Sequence, residues 1–306
     1  MRLDKTDFMH QPRHSTQRRL IINGDDFGFS SGVNQAIIAA HTQGVLTSTS
    51  LMVTGDAFED AVALAKAHPT LAVGLHLVLA CGRSVLPPAQ IPHLVDAQGR
   101  FSSQPEKAGL HYHFSPAARR ELQLEIRAQL ERFRQTGLPL SHVDGHVHIH
   151  MQPAVLNGLL QVTDEFNVRC IRLPFEEFTI ALRADPSDRF MKLLLSLVYA
   201  GLRLYGKQRL KAHRIQFVDR VYGLLNSGRM TEDYLLKLIP QIRADRVEIY
   251  AHPAAAIPGE PANESYGLGE AERDALMSDQ VRAAIQQQGF ELINYPTLCS
   301  ISSNPL

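Results

Sequence analysis

A chain of 306 residues with 44% hydrophobic and 20% charged residues has the make-up of a globular protein, one large domain or two ordinary ones, with ample length to bury a core. Lysine plus arginine and aspartate plus glutamate balance at 31 each, so the net charge gives no sign of nucleic acid or an acidic partner. Cys81, Cys170 and Cys299 are widely spaced and lack a Cys-x-x-Cys pair, which reads as reduced thiols of a cytoplasmic protein rather than a disulfide framework.

Residues 1–18 are polar and lack the apolar core of a secretory signal. They read as a disordered tail, carrying His10 and His14, ahead of a domain spanning 19–306. Strand-like and helix-like segments then alternate. "RLIING" (19–24) leads to a helix at 32–43, "VLTSTSLMV" (45–53) to a helix near 57–67, and "LAVGLHLVL" (71–79) to a long connection that runs to about 115. A helix at 116–135 precedes "PLSHVDGH", a helix at 153–166 precedes "VRCIRLP" (168–174), and an amphipathic region fills 178–211. "RIQFV" (214–218), a helix at 231–243, "RVEIYAHP" (246–253), a helix at 270–288 and "FELINYP" (290–296) complete the series.

Alternation of about eight strands with helices predicts a parallel sheet closed, or nearly closed, into a (β/α) barrel: one α/β domain of distorted TIM type with insertions. The long segments at 80–115 and 175–213 fall after strands, on the face where barrels build active sites. Within the second, "FMKLLLSLVYAGLRLYG" (190–206) is too short to span a bilayer and has the spacing of an amphipathic helix. Packing against the barrel is its simplest use; peripheral contact with a membrane is the alternative.

The stretch "SHVDGHVHIH" (141–150) sets His142, Asp144, His146, His148 and His150 on even positions and β-branched residues on most odd ones. As a strand it would turn all five polar groups to one face, with the first and last about 26 Å apart. One ion cannot hold them all, so ligands from elsewhere are needed. Other polar groups fall at predicted strand ends: Asp25 and Asp26, His76, Arg172 and His252. Two imidazoles and one carboxylate form a familiar ligand set for a catalytic divalent ion, and Asp26, His76 and His146 are the candidates. Asp25 is placed to act as base on an activated water, and His252 to protonate a leaving amine. Arg172 could orient the aspartates or bind a substrate oxygen. His142, Asp144 and His148 fall around the ligands, and His148 and His150 at the pocket rim.

"NGDDFG", "GVLTSTSLMV", "VGLHL", "SHVDGHVHIHMQP", "RLP" and "AHP", in this order, resemble the YdjC-like carbohydrate deacetylases over residues 19–298. The stretch 74–101, "GLHLVLACGRSVLPPAQIPHLVDAQGRF", is most similar to the hopanoid-biosynthesis-associated, HpnK-like branch. The resemblance implies a barrel-like deacetylase fold and a divalent-metal site that removes acetyl from an N-acetylated sugar. It places Asp26, His76 and His146 on the metal, Asp25 as base, and His252 at the histidine of "HP". Gly24 stands where relatives often have alanine, Val147 interrupts the histidine run, and Ala254 follows "HP" where glycine is common.

The expected cofactor is one divalent ion, Mg or Zn first, with Mn, Ni and Co also permitted by oxygen and imidazole ligands. The expected substrate is an N-acetylglucosaminyl hopanoid lipid, or alternatively a chito-oligosaccharide-type sugar. A homodimer, and a cytoplasmic location peripheral to the inner membrane face, are compatible with this reading. Two other classes compete. A metal-dependent phosphoesterase is disfavoured because the first strand ends in Asp25-Asp26 rather than His-x-His. A non-enzymatic metal-binding protein would use the local "HVHIH" donors alone.

Overall fold

In the computed structural model, residues 17–260 and 268–302 are described; His10, His14 and almost all of the expected tail lie outside them. The first strand, β1, runs from Arg18 to Phe27 and is buried on both faces, as the near-continuous apolar run of a central parallel strand requires. On it are built β2 (Ser48–Leu51), β3 (Ala72–Leu77), β4 (Val143–Gly145), β5 (Arg220–Tyr222), β6 (Arg246–Ala251) and β7 (Phe290–Leu292). All pairings are parallel, in the order β4-β3-β2-β1-β6-β5, with β7 on the first residues of β1.

The sheet curls into a partial barrel rather than closing through eight full strands. The segments expected as strands at 168–174 and 214–218 are extended but contribute only isolated bridges, Val143 to Ile171 and Cys170 to Gln216. These continue the curvature beyond β4 towards β5. The single α/β domain with a barrel-type sheet expected from the alternation is what forms.

Helices cover the outside: α1 (Ser31–Thr42), α2 (Phe58–Ala67), α3 (Pro105–Phe114), α4 (Pro116–Gln135), α5 (Pro153–Leu160), α6 (Phe178–Ala184), α7 (Arg189–Ala212), α8 (Glu232–Leu238), α9 (Gly269–Met277), α10 (Asp279–Gln287) and α11 (Tyr295–Ser302). Five of their starts carry a side-chain cap written in the sequence. Ser30 accepts a hydrogen bond from the Val33 amide, and Ser115 from Ala118 ahead of Pro116. The helix expected at 270–288 is two helices, because Ser278 turns extended and its hydroxyl caps α10 through the amides of Gln280 and Val281.

Three expectations are corrected. The 141–150 stretch is not one strand. β4 ends at Gly145, and His146–Met151 form a tight 3₁₀ turn in which Val147 (φ 49°) and His148 (φ 54°) are left-handed. The period-two pattern was shared by a short strand and a turn that points its imidazoles in different directions. Secondly, Cys170 and Cys299 are disulfide-bonded across 129 residues, and Cys81 is the exposed thiol, so the thiol argument for a reducing compartment lapses. Thirdly, α7 does not bury its apolar stripe on the barrel: Phe190 is 78% exposed, Leu197 65% and Leu204 70%. No helix among the described residues is long and apolar enough to cross a membrane.

Candidate metal centre and active site

The two aspartates reach the same pocket because β1 is irregular there. The β1–β2 register shifts between Gly24 and Phe27, and Asp26 adopts φ 67°, a left-handed conformation that aspartate tolerates better than most residues. A bulge of this kind re-aims side chains beside active sites. His76 arrives late on β3, directly paired with Asp144 on β4, and His146 follows β4 immediately.

Asp26, His76 and His146, all buried, each offer one ligand atom, and these atoms lie within 4.8 Å of one another. Asp26 Oδ1 is 3.0 Å from His146 Nδ1 and 3.2 Å from His76 Nε2. The other nitrogen of His76, Nδ1, hydrogen-bonds Asp144 Oδ1 at 2.8 Å. That carboxylate–imidazole contact fixes the ring so that Nε2 faces the pocket, the arrangement that supports metal-ligating histidines. Asp25, His76 and Asp144 form an overlapping cluster with the same reach.

Arg172 organises the floor and is itself completely buried. Its two terminal nitrogens grip Asp25 at 2.6 and 2.7 Å, one of them also lies 2.9 Å from Asp144, and Nε donates to Glu248 at 2.9 Å. The guanidinium carbon sits 4.6 Å from the centre of the Tyr250 ring. Burial opposes its charge, but Asp144, Asp25 and Glu248 together hold Arg172 well above its ordinary pKa. Asp25 is completed by Asn23 Nδ2 at 2.7 Å.

The charge balance fits a cation. Asp25, Asp26, Asp144 and Glu248 crowd one permanent positive charge, that of Arg172. Against the effect of burial, Asp144 and Asp26 push His76 up to about 10, so the site draws a proton where a metal ion would supply charge. Burial likewise opposes the charge of Asp26, yet His146 and His76 hold its carboxyl well below the usual range. Two imidazoles and a carboxylate, buried and convergent, could hold a divalent ion.

The remaining histidines divide. His142 is buried, stacks on Tyr295 with ring centres 3.8 Å apart, and hydrogen-bonds Ser141 Oγ through Nδ1. His148 is half-buried, bonds the Tyr250 hydroxyl through Nε2 at 2.8 Å, and meets the rings of Tyr199 and Tyr250 edge-on. Burial, then Arg172, keeps it neutral by pushing its pKa well down. His150 is not on a rim: it is fully buried and donates from Nε2 to the Arg172 carbonyl, and burial lowers its pKa to about 4. His252 lies beyond the ligand cluster, its ring edge-on to Tyr250 at 5.7 Å and its amide donating to buried Glu272.

Sequence reasoning missed Glu248, Tyr250 and Tyr295. Glu248 is fully buried between Arg172 and the Tyr295 hydroxyl, and burial raises its pKa. The signal was present in "RVEIYAHP": Glu248 and Tyr250 alternate with Ile249 and Ala251 and so share one face of β6, and the alternation runs on to His252 just past its end.

The sequence profile of the family described as YdjC-like protein matches residues 19–287. A carbohydrate deacetylase of Geobacillus stearothermophilus is 32% identical over 280 residues, 91% of this chain and 97% of that protein. One of Brevibacillus brevis is 46% identical over 157 residues, 51% of this chain and 60% of that protein. Among solved structures, an Enterococcus faecalis V583 protein proposed to cleave cellobiose-phosphate superposes with a TM-score of 0.70 at 26% identity, covering 92% of this chain and 99% of that one. With a family match over most of its length and a relative aligned nearly end to end, this chain belongs to the YdjC-like family.

Proposed function

We propose that this protein is a metal-dependent carbohydrate deacetylase that hydrolyses the acetamide of an N-acetylated amino sugar. The observation that carries the reading is the convergence of Asp26, His76 and His146 beside an arginine-gripped Asp25. The near full-length relative is itself a carbohydrate deacetylase, which supports the same reading.

A divalent ion held by Asp26, His76 and His146 would supply Lewis acidity, making water nucleophilic near neutral pH and polarising the acetamide carbonyl. Asp25 takes the proton of the attacking water, and Arg172 fixes the plane of that carboxylate so that it meets the water in one orientation. Asp144 keeps the proton of His76 on Nδ1 and leaves Nε2 as donor atom. His252 delivers a proton to the departing amine, and His148 with Tyr250 lines the space between. At the level of substrate, the similarity of residues 74–101 to the hopanoid-associated branch supports an N-acetylglucosaminyl hopanoid lipid.

The test is acetate release from N-acetylglucosaminyl substrates by purified protein, with divalent ions added and after chelation. Release should require the ion, and Asp25→Asn should lower turnover by about 10²–10⁴-fold, the range of a lost general base, while the protein still folds. Turnover unchanged by chelation, or by Asp25→Asn, contradicts the mechanism.

A further inference from the structure

Eleven large hydrophobic side chains are exposed among the described residues, and nine of them sit on two insertion helices. Leu110 and Phe114 project from α3; Phe190, Met191, Leu193, Leu194, Leu197, Val198 and Leu204 project from α7. At about 100° per residue, the seven on α7 form one stripe along its outer side. Scattered exposed leucines need no explanation, but a contiguous apolar ridge does. α3 and α7 both pack on α5 and on the 146–151 turn, so their exposed faces flank the same region.

The ridge adjoins the candidate active site. Tyr199, half-buried on the inner side of α7, meets the His148 ring edge-on at 5.8 Å, and His148 in turn bonds Tyr250. One helix therefore presents an apolar face to the outside and lines the pocket with its other side.

Charge says what the ridge faces. The 24 residues of α7 include six lysines or arginines and no acid, in a chain whose overall charges cancel. Three are used internally: Lys192 on Asp185, Arg203 on the carbonyls of Leu173 and Asp219, and Arg209 on Asn157. Arg189, Lys207 and Lys211 are exposed, Arg189 donating only to the nearby Pro186 carbonyl, and none of them has an ion pair among the described residues. On a helical wheel they border the apolar stripe on one side. An apolar stripe bordered by cations is the surface that lies in the interface of an anionic bilayer. Pairing two copies through this helix would instead bring like charges together, and no helix among the described residues is long and apolar enough to span.

We infer that α7, with the exposed tip of α3, is a docking face for an anionic lipid bilayer, seating the active site against the membrane surface. Binding through this face is separate from the deacetylase chemistry, and it is measured whether or not acetate is released.

The test is co-sedimentation of the full chain with vesicles of phosphatidylcholine, with and without phosphatidylglycerol. Wild type should partition onto the anionic vesicles. Leu197→Asp and Phe190→Asp, at exposed positions where folding is checked by thermal melting, should each lower the partition coefficient roughly tenfold or more, as loss of one inserted large side chain implies. Lys207→Glu with Lys211→Glu should weaken binding to the anionic vesicles only, and Leu124→Asp, exposed but on α4, should leave it unchanged. Equal recovery of wild type and Leu197→Asp overturns the inference. So does a wild type that ignores vesicles, whether it is monomeric or forms a dimer that Leu197→Asp dissociates.

Discussion

Arg172 decides how this site is assembled. Completely buried, it faces Asp25, Asp144 and Glu248, and its charge is the one permanent positive charge among them. Removing one partner from a buried ionic network leaves uncompensated charge in a poorly solvated place. Arg172→Met is therefore expected to destabilise the fold by about 3–5 kcal/mol in urea denaturation; a loss under about 1 kcal/mol, the range of an exposed pair, would mean that the three carboxylates do not depend on it. A second buried carboxyl makes a pH prediction. Glu176 Oε2 accepts from the amides of Gly223, Leu224 and Leu225, but burial outweighs these bonds and pushes its pKa up to about 7. The native state thus holds this proton more tightly than the unfolded chain, and its contribution to stability is lost as pH rises from about 4.5 to about 7. In Glu176→Gln that decline should be absent, so melting curves of variant and wild type diverge above pH 5; parallel curves would refute the assignment. Asp26, His76 and His146 were legible in sequence because each closes a strand where a barrel places its chemistry. Glu176 was not, because it lies on no alternating strand and a buried acid of that kind is recognisable only once its partners are known.

At the scale of elements, the irregular segments carry the site. The β1 bulge turns Asp25 and Asp26 towards one pocket, and the left-handed Val147 and His148 send consecutive imidazoles to different partners. Strict alternation over 141–150 hid this, since alternation reports only polarity and cannot see where a strand stops. A tight approach supports the same corner from β3: a Cβ on Gly74 would lie 2.4 Å from the His142 ring and 2.7 Å from its carbonyl oxygen. Gly74→Ala must displace the histidine that stacks on Tyr295, and overpacking of this kind costs about 1–3 kcal/mol. Urea denaturation measures it, and a neutral result would show that His142 can move without penalty. The helices were legible wherever a cap was written, as at Ser30 and Ser115. They were misjudged where Ser278 served as an internal cap, and at α7, whose amphipathic spacing does not reveal whether the apolar side meets protein or the outside.

The molecule as a whole is a partial barrel whose strand ends converge on one acidic, histidine-rich pocket, with two insertions beside it. Alternation of strands and helices revealed the class of fold, because parallel strands need crossover helices. It overstated the closure, because residues 170, 171 and 216 bridge their neighbours without forming ladders. The proposed ion site draws its ligands from residues far apart in sequence, Asp26, His76 and His146, rather than from the local histidines of 146–150 alone. Calorimetric titration of a divalent ion into the metal-free protein and into an Asp26→Asn, His76→Ala variant tests it most directly. Wild type should take up one ion, more tightly as pH rises because His76, held up to about 10, must lose its proton, and the variant none in the same range. Undiminished binding by the variant would place the ion on the local histidines instead.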